Sequence, residues 1–330
     1  MPNGSSQSSL LWQRFVVSIA QASMASIQAK PRKQVIRLGK TWGRVAYKCV
    51  AKSRRDARRN VYLAFPTLAE SAREIIVRES FEHFAAMMFE LVKAPVYTQD
   101  EVLGLVSLEP GAEDALQGYM DDNKGVIAVV PHFGNFEFFS RWASCRGVDL
   151  TVVVREPDGP TFSKLIEELR TGCNYKVVNK GNAYRPLLRA LANKGAVAIL
   201  PDQNSGDCFV PFFGMPAGTV LGPAKLAVHT GAPIVPMFCV REPDDRYRIW
   251  VAPPIIAAPN AGELGETELL RLTTEINKAL ESGIQQLPGQ YLWMHNRFKS
   301  AFEPKNLDRW PSSINAEQAL ARWNHAKTLT

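Results

Sequence analysis

Two residue types that can move a proton stand five positions apart. They are His132 and Glu137, in the segment Val129-Val130-Pro131-His132-Phe133-Gly134-Asn135-Phe136-Glu137. A neutral imidazole can take the proton from an alcohol as that alcohol attacks a thioester. A carboxylate on the other ring nitrogen fixes the tautomer and stabilises the imidazolium that forms. Five helical residues turn the chain by about 140° beyond one full turn, so the two side chains meet only if His132 lies in a turn ahead of the helix. Gly134-Asn135 makes such a turn cheap. The N–H groups at the start of the helix then offer donors to a developing oxyanion. Spacing alone is satisfied equally well by a structural arrangement, with His132 ending a strand and Glu137 an exposed first-turn acid that favours the helix dipole.

The surrounding pattern supplies the scaffold. Val126–Pro131 is a short apolar run that reads as a buried strand, and Asn135–Arg146 follows with helical character. Further strands are expected at Leu150–Val154, Tyr175–Val178, Ala196–Leu200, Ile234–Val240 and Tyr247–Val251. Helices are expected at Phe162–Thr171, Tyr184–Asn193, Ala224–Thr230 (stopped by Gly231) and Glu266–Gln286. Residues 60–120 read as mainly helical, with Leu68–Val92 the strongest segment. Alternation of this kind implies an α/β fold, a mixed and largely parallel sheet flanked by helices. Ligands bind such sheets at the carboxyl ends of the strands, where His132 falls.

Charge is placed unevenly. Thirteen of the 39 Lys and Arg lie in residues 1–60 against a single acid, Asp56, so this stretch carries +12 and the remainder −5. Basic charge confined to one end implies an anionic surface, with lipid headgroups ahead of nucleic acid because the belt from Lys30 to Arg59 holds few aromatics and no base-reading motif. Between Pro2 and Ala29 the only charge is Arg14. On a helix Arg14, Ser18, Gln21, Ala25 and Gln28 share one face, opposite Trp12, Val16, Ile19, Ala20 and Ile27, as in a helix lying in a membrane interface. The stretch is too rich in Ser and Gln for a comfortable span. Packing against the body, or cleavage as a signal peptide, are the competing readings. The expected division is a basic arm over 1–59, a catalytic domain over 60–310 and a tail over 311–330.

Several classes are excluded or disfavoured. The chain has no G-x-S-x-G elbow, which disfavours an α/β-hydrolase, and no G-x-G-x-x-G or G-x-x-x-x-G-K-[ST], which leaves nucleotide chemistry unsupported. The five scattered cysteines (Cys49, Cys145, Cys173, Cys208, Cys239) form no C-x-x-C pair and suit free thiols in a reducing compartment.

The block His-Phe-Gly-Asn-Phe-Glu resembles the H-x-x-x-x-[DE] signature of the glycerophospholipid acyltransferase superfamily. With Glu at its end it looks like the lipid A branch, the Kdo2-lipid A lauroyl/myristoyl transferases, to which the phosphatidylinositol-mannoside acyltransferases are also similar. Other blocks follow in order: Asn60 to Pro66 after Arg58-Arg59, Phe81 to Glu90, Val154-Arg155 with Leu169-Arg170-x-Gly172, Leu200 to Asn204 followed by Val210 to Gly214, Gly222 to Pro233, and Trp293 to Lys299. The likeness spans about residues 45–300.

The resemblance implies His132 as general base and Glu137 as its orienting partner. Asn135 falls inside the signature and is expected among the substrate-binding residues. Arg155 would be a donor to a phosphate or the acyl carbonyl, Arg170 a second positive group, and Asp202 and Gln203 would line the site from the next strand end. Each has a bland counterpart: Arg155 in a surface pair with Glu156, Asp202 in a turn after Pro201. Phe212-Phe213 reads as an apolar wall, His229 as a packed or surface histidine, and His295, Arg297 and Lys299 as stabilisers of the fold. The implied partners are an acyl carrier protein or acyl-CoA donor, a glycolipid acceptor and an anionic membrane, at the cytoplasmic face of a bacterial inner membrane, with no metal, cofactor or nucleic acid. The alternatives are an acyltransferase acting on lysophospholipid or glycerol phosphate, one of the phosphatidylinositol-mannoside type, and a catalytically silent membrane-bound binding protein.

Overall fold

A computed structural model describes residues 22–121, 125–154, 169–170 and 175–329. A seven-stranded sheet runs through the middle of the chain in the order β1-β9-β8-β2-β5-β3-β4. The strands are β1 (Val106–Leu108), β2 (Val126–Val129), β3 (Leu150–Val154), β4 (Lys176–Asn179), β5 (Ala196–Ile199), β8 (Ile234–Arg241) and β9 (Tyr247–Val251). Strands β8, β2, β5, β3 and β4 are parallel; β9 returns antiparallel to β8, and β1 runs parallel to β9. This is the largely parallel, helix-flanked sheet expected from the alternation.

Alternate residues of each central strand enter different cores, the period-two consequence of the pleat. Ile127, Val129, Val197, Ile199, Ile234, Phe238 and Val240 face one layer, and Val126, Ala128, Val130, Ala198, Val235, Met237 and Cys239 face the other. The first layer is closed by the helices Tyr184–Ala192, Gly222–Thr230 and Glu266–Gln286, and the second by Phe136–Cys145. The strand and helix limits agree with the sequence reading to within one or two residues, and Gly231 ends its helix in the left-handed region, at φ 69°.

Three expectations change. The pair β6 (Cys208–Phe212) and β7 (Met215–Thr219) forms a separate antiparallel hairpin where only a family block was read. Its turn residue Phe213 has φ 51°, a conformation that β-strand patterning gives no hint of.

The basic arm is, from residue 32, part of the body. Helix α1 (Arg32–Cys49) packs along α3 (Glu70–Lys93), and α2 (Ala51–Ala64) buries Ala57, Asn60, Val61 and Leu63. The segment read as a tail carries a helix, Ala316–Thr328, whose Trp323 stacks on Phe302 and whose Arg322 donates to the carbonyl of Leu63. Residues 22–29 are helical, and Gln28 Nε2 donates to the carbonyl of Val92 at 3.0 Å. The expected interfacial helix over Leu10 to Ala29 otherwise lies outside the described residues, as does the helix at Phe162–Thr171 apart from Leu169 and Arg170. No helix among the described residues is long and apolar enough to cross a membrane.

Candidate active site

Strand β2 ends at Val129, and six residues separate it from the helix beginning at Phe136. His132 therefore lies in the connecting turn. The turn is built by three main-chain bonds to two other segments. Gly134 N–H donates to the carbonyl of Gln290 (3.1 Å), Asn135 N–H to that of Cys239 (2.7 Å), and Leu292 N–H to that of His132 (2.9 Å). Gly134 has φ 61°, and a Cβ there would stand 2.0 Å from the carbonyl oxygen of Cys239, so only glycine fits.

The carboxylate on the imidazole is Asp202, not Glu137. Asp202 follows β5, two residues after Leu200, and is buried to 1% exposure. Its Oδ1 lies 2.7 Å from His132 Nδ1, and its Oδ2 accepts the main-chain N–H of His132 at 2.8 Å. Burial pushes the Asp202 carboxyl up, but the adjacent imidazole, its two hydrogen bonds and the charge of Arg297 outweigh this and hold it below the ordinary aspartate value. An ionised Asp202 requires a proton on Nδ1, which leaves the lone pair on Nε2. Gln203 Nε2 sits 3.1 Å from that nitrogen, the geometry of an amide N–H donating to it. The ring packs edge-on against Phe136 with centroids 5.0 Å apart.

Glu137 takes a different partner. Arg170 donates to it through Nε at 3.2 Å and also through Nη2, a two-point ion pair. The expected His132–Glu137 contact is thus replaced by two separate pairs, His132–Asp202 and Glu137–Arg170. The physical reason is the helix itself. Glu137 occupies its first turn and points to Leu169-Arg170, whereas the carboxyl end of the neighbouring parallel strand delivers Asp202 to the ring.

Asn135 does not face substrate. It is buried to 2% exposure, its Oδ1 caps the helix at Phe138 N–H (3.0 Å), and its Nδ2 donates to Tyr247 Oη (2.7 Å). Tyr247 Oη in turn donates to Glu90 Oε2 (2.6 Å), which also accepts from Arg241. Arg32, counted in the basic belt, reaches inward to Glu90 Oε1 at 2.9 Å. The N–H groups of Gly134, Asn135 and Phe138 are all engaged, which removes them as donors to an oxyanion. Arg155 lies outside the described residues.

Sequence reasoning missed the support from α3. Ser80, His83, Met87 and Glu90 repeat at helical spacing on one buried face. Ser80 Oγ donates to the carbonyl of Tyr291 (2.6 Å), and His83 Nε2–H donates to the carbonyl of Gly134 (2.9 Å). Burial, then the charge of Arg241, pushes the His83 imidazole down to about 3, so it is neutral. The signal was present: a Ser, a His and a Glu on the apolar face of a long helix need partners.

The residues read as stabilisers serve the second strand end. His295 Nε2 accepts the main-chain N–H of Asn204 (3.0 Å), beside Asp202 and Gln203. Arg297 is fully buried, donates to Thr219 Oγ1 (2.8 Å) and to the carbonyl of Gly218, and lies over the ring of Phe212. Phe212 and Phe213 form an aromatic wall with Trp293, and His229 rests beside Tyr184.

His132, Glu137, Arg170 and Gln203 all open onto one cleft of about 650 Å³. The rest of its lining is mostly apolar, including Phe84, Met88 and Leu91 of α3, Leu187, and Leu226. A base and a cation within one largely apolar cleft can hold a polar reacting group together with a hydrocarbon.

A family model described as bacterial lipid A biosynthesis acyltransferase matches residues 3–300. The chain is 26% identical to the lipid A biosynthesis lauroyltransferase of Escherichia coli K12 over 281 residues, 82% of this chain and 87% of that protein. It is 28% identical to the lipid A biosynthesis palmitoleoyltransferase of the same organism over 273 residues, 80% and 84% of the two chains. To a phosphatidylinositol mannoside acyltransferase of Mycobacterium tuberculosis it is 25% identical over 166 residues, 48% and 52%.

Proposed function

We propose, from the premise that this chain belongs to the bacterial lipid A biosynthesis acyltransferase family, that it moves a fatty acyl group from a thioester to a hydroxyl of a lipid A precursor. It is an acyltransferase. The observation that carries the mechanism is the double hold of Asp202 on His132, because it directs the lone pair of Nε2 into the cleft. The acceptor hydroxyl takes the place now filled by the Gln203 amide. Nε2 removes its proton as the oxygen attacks the thioester carbonyl, and Asp202 stabilises the imidazolium. Collapse of the tetrahedral intermediate forms the ester and expels the thiolate, which takes the proton back from Nε2.

Arg170 lines the same cleft and is the charged donor for the oxyanion, oriented by Glu137. The apolar lining receives the acyl chain. Names of the matching proteins favour a lipid A precursor, and the donor is an acyl carrier protein or acyl-CoA at the cytoplasmic face of the inner membrane. The test is direct. Purified protein is given acylated carrier protein or acyl-CoA with a lipid A precursor, a lysophospholipid or a phosphatidylinositol mannoside, and products are read by mass spectrometry. A precursor heavier by one acyl group supports the reading; acylation of only the lysophospholipid or only the mannoside replaces it.

A further inference from the structure

Helix α1 has two faces with different commitments. Val35, Ile36, Gly39 and Gly43 are buried against α3. A Cβ on Gly39 would lie 2.5 Å from Ala86 Cα, and one on Gly43 would lie 2.5 Å from the carbonyl oxygen of Phe81. The two backbones touch, so α1 cannot roll about its axis. Its outer face is therefore fixed as well. Leu38, Trp42, Val45 and Cys49 recur at i, i+4, i+7 and i+11 and make a second apolar stripe. Trp42 is 57% exposed and Val45 42%. A tryptophan in a continuous exposed stripe is more than the single apolar residues that scatter over any surface.

The basic residues of the belt divide into those with a carboxylate partner and those without. Arg32, Lys40, Arg44, Arg58 and Arg59 each face a carboxylate, and Arg54 donates to main-chain carbonyls. Lys33, Arg37, Lys48, Lys52 and Arg55 have no acidic partner among the described residues. Lys33, Arg37 and Lys48 share one strip of α1, separated from the apolar stripe by the polar Gln34 and Thr41.

We propose that this outer face of α1 docks flat on an anionic lipid surface, with Trp42 and Val45 entering the interface and the free Lys and Arg meeting headgroup phosphates. The inference deepens the membrane reading given above and names the surface responsible. Charge complementarity selects the occupant. A second copy of the chain would bring like charges face to face. An acidic carrier protein would need to reach the cleft, but no residue of α1 lines it, whereas Phe84, Met88 and Leu91 of α3 do. Interfacial helices combine these features: an apolar strip with an aromatic, and Lys and Arg on the polar face.

The test uses the full chain and vesicles of phosphatidylglycerol and phosphatidylethanolamine. Trp42→Ser with Val45→Ser, and separately Lys33→Glu with Arg37→Glu and Lys48→Glu, should each weaken vesicle binding by at least about tenfold. Trp42→Phe should retain it, and all variants should keep the melting temperature. A fluorophore on exposed Cys49, with Cys145 and Cys173 replaced by serine, should shift to the blue on anionic vesicles. Turnover of a detergent-dispersed acceptor should be unchanged, because the stripe touches none of the cleft. Undiminished vesicle binding in both variants, or no shift at Cys49, overturns the proposal. So does a wild-type dimer that the serine pair dissolves, or a raised KM for the carrier-borne donor with normal vesicle binding. Vesicle binding is read without chemistry, so its failure is separate from failure of the transferase assay.

Discussion

Asp202 holds His132 at two points at once: one carboxylate oxygen takes the ring Nδ1–H and the other takes the main-chain N–H of the same residue. The ring is thereby fixed in position, orientation and tautomer. His132→Ala should lower turnover by about 10²–10⁴-fold with the fold intact. Asp202→Asn is the sharper test. A carboxamide has one acceptor oxygen, which the main-chain N–H claims. Its NH₂ then faces Nδ1 and can only be accepted there, so the proton moves to Nε2 and the base is lost. A fall in kcat by about 10⁴ with an unchanged melting temperature is expected, as for the aspartate of a serine-protease triad. Wild-type turnover in folded Asp202→Asn would remove Asp202 from the mechanism.

Glu137 and Arg170 act together, apart from that pair. Glu137→Ala should lower kcat, and adding Arg170→Ala should cost little more, because each group works through the other. Combined with Asp202→Asn, by contrast, the losses should multiply. If Glu137→Ala is additive with Arg170→Ala but silent beside Asp202→Asn, the carboxylates have exchanged roles, and the sequence-based pairing with His132 is restored.

How far the site could be read from the chain depends on which physical link was local. The turn at His132 was legible because strand, Gly134-Asn135 and helix are contiguous. The partner of the imidazole was not, since Asp202 is 70 residues away and reaches the ring only because β2 and β5 are parallel neighbours. Asn135 was misread for a related reason. Its position in the signature suggested substrate, whereas its cap and its bond to Tyr247 depend on β9, which no pattern near residue 135 encodes. Charge misled at Arg32, where a base within a belt reaches a buried acid on another helix. The hairpin β6–β7 escaped notice because its tight turn rests on Phe213, a residue that ordinarily avoids positive φ.

The neutral His83 gives the fold an acid lability with a definite sign. Its folded value is about 3 against 6.5 unfolded, so below pH 6.5 the unfolded chain binds the extra proton. Stability is complete above that pH and is lost as pH falls, by up to about 1.4 kcal/mol per unit for this one group. His83→Gln keeps a donor for the Gly134 carbonyl without titrating. Denaturant melts between pH 7 and 4 should show a flatter dependence for the variant than for wild type. Parallel curves would mean that other groups govern the acid limb.

The buried relay behind the catalytic turn has a direction, and that direction sets how the helix is capped. Glu90, which accepts from Arg241 and is ion-paired with Arg32, can only accept from Tyr247. Burial holds the Tyr247 phenol above its ordinary value, so it keeps its proton and gives it to Glu90. Its oxygen must then accept, which turns the NH₂ of Asn135 toward it and the Asn135 oxygen toward Phe138 N–H. Tyr247→Phe leaves that NH₂ buried without a partner, at a cost of about 1–3 kcal/mol. Asn135→Ser keeps a capping oxygen but deprives Tyr247 of its donor. Each single variant should lower both stability and kcat, with KM unchanged because neither side chain touches the cleft. The double variant should be less impaired than the sum of the two, since each change removes the group that the other leaves unsatisfied. A Tyr247→Phe protein that loses stability but turns over normally would show that the relay supports the fold without positioning His132. Strict additivity would show that Tyr247 and Asn135 are not linked at all.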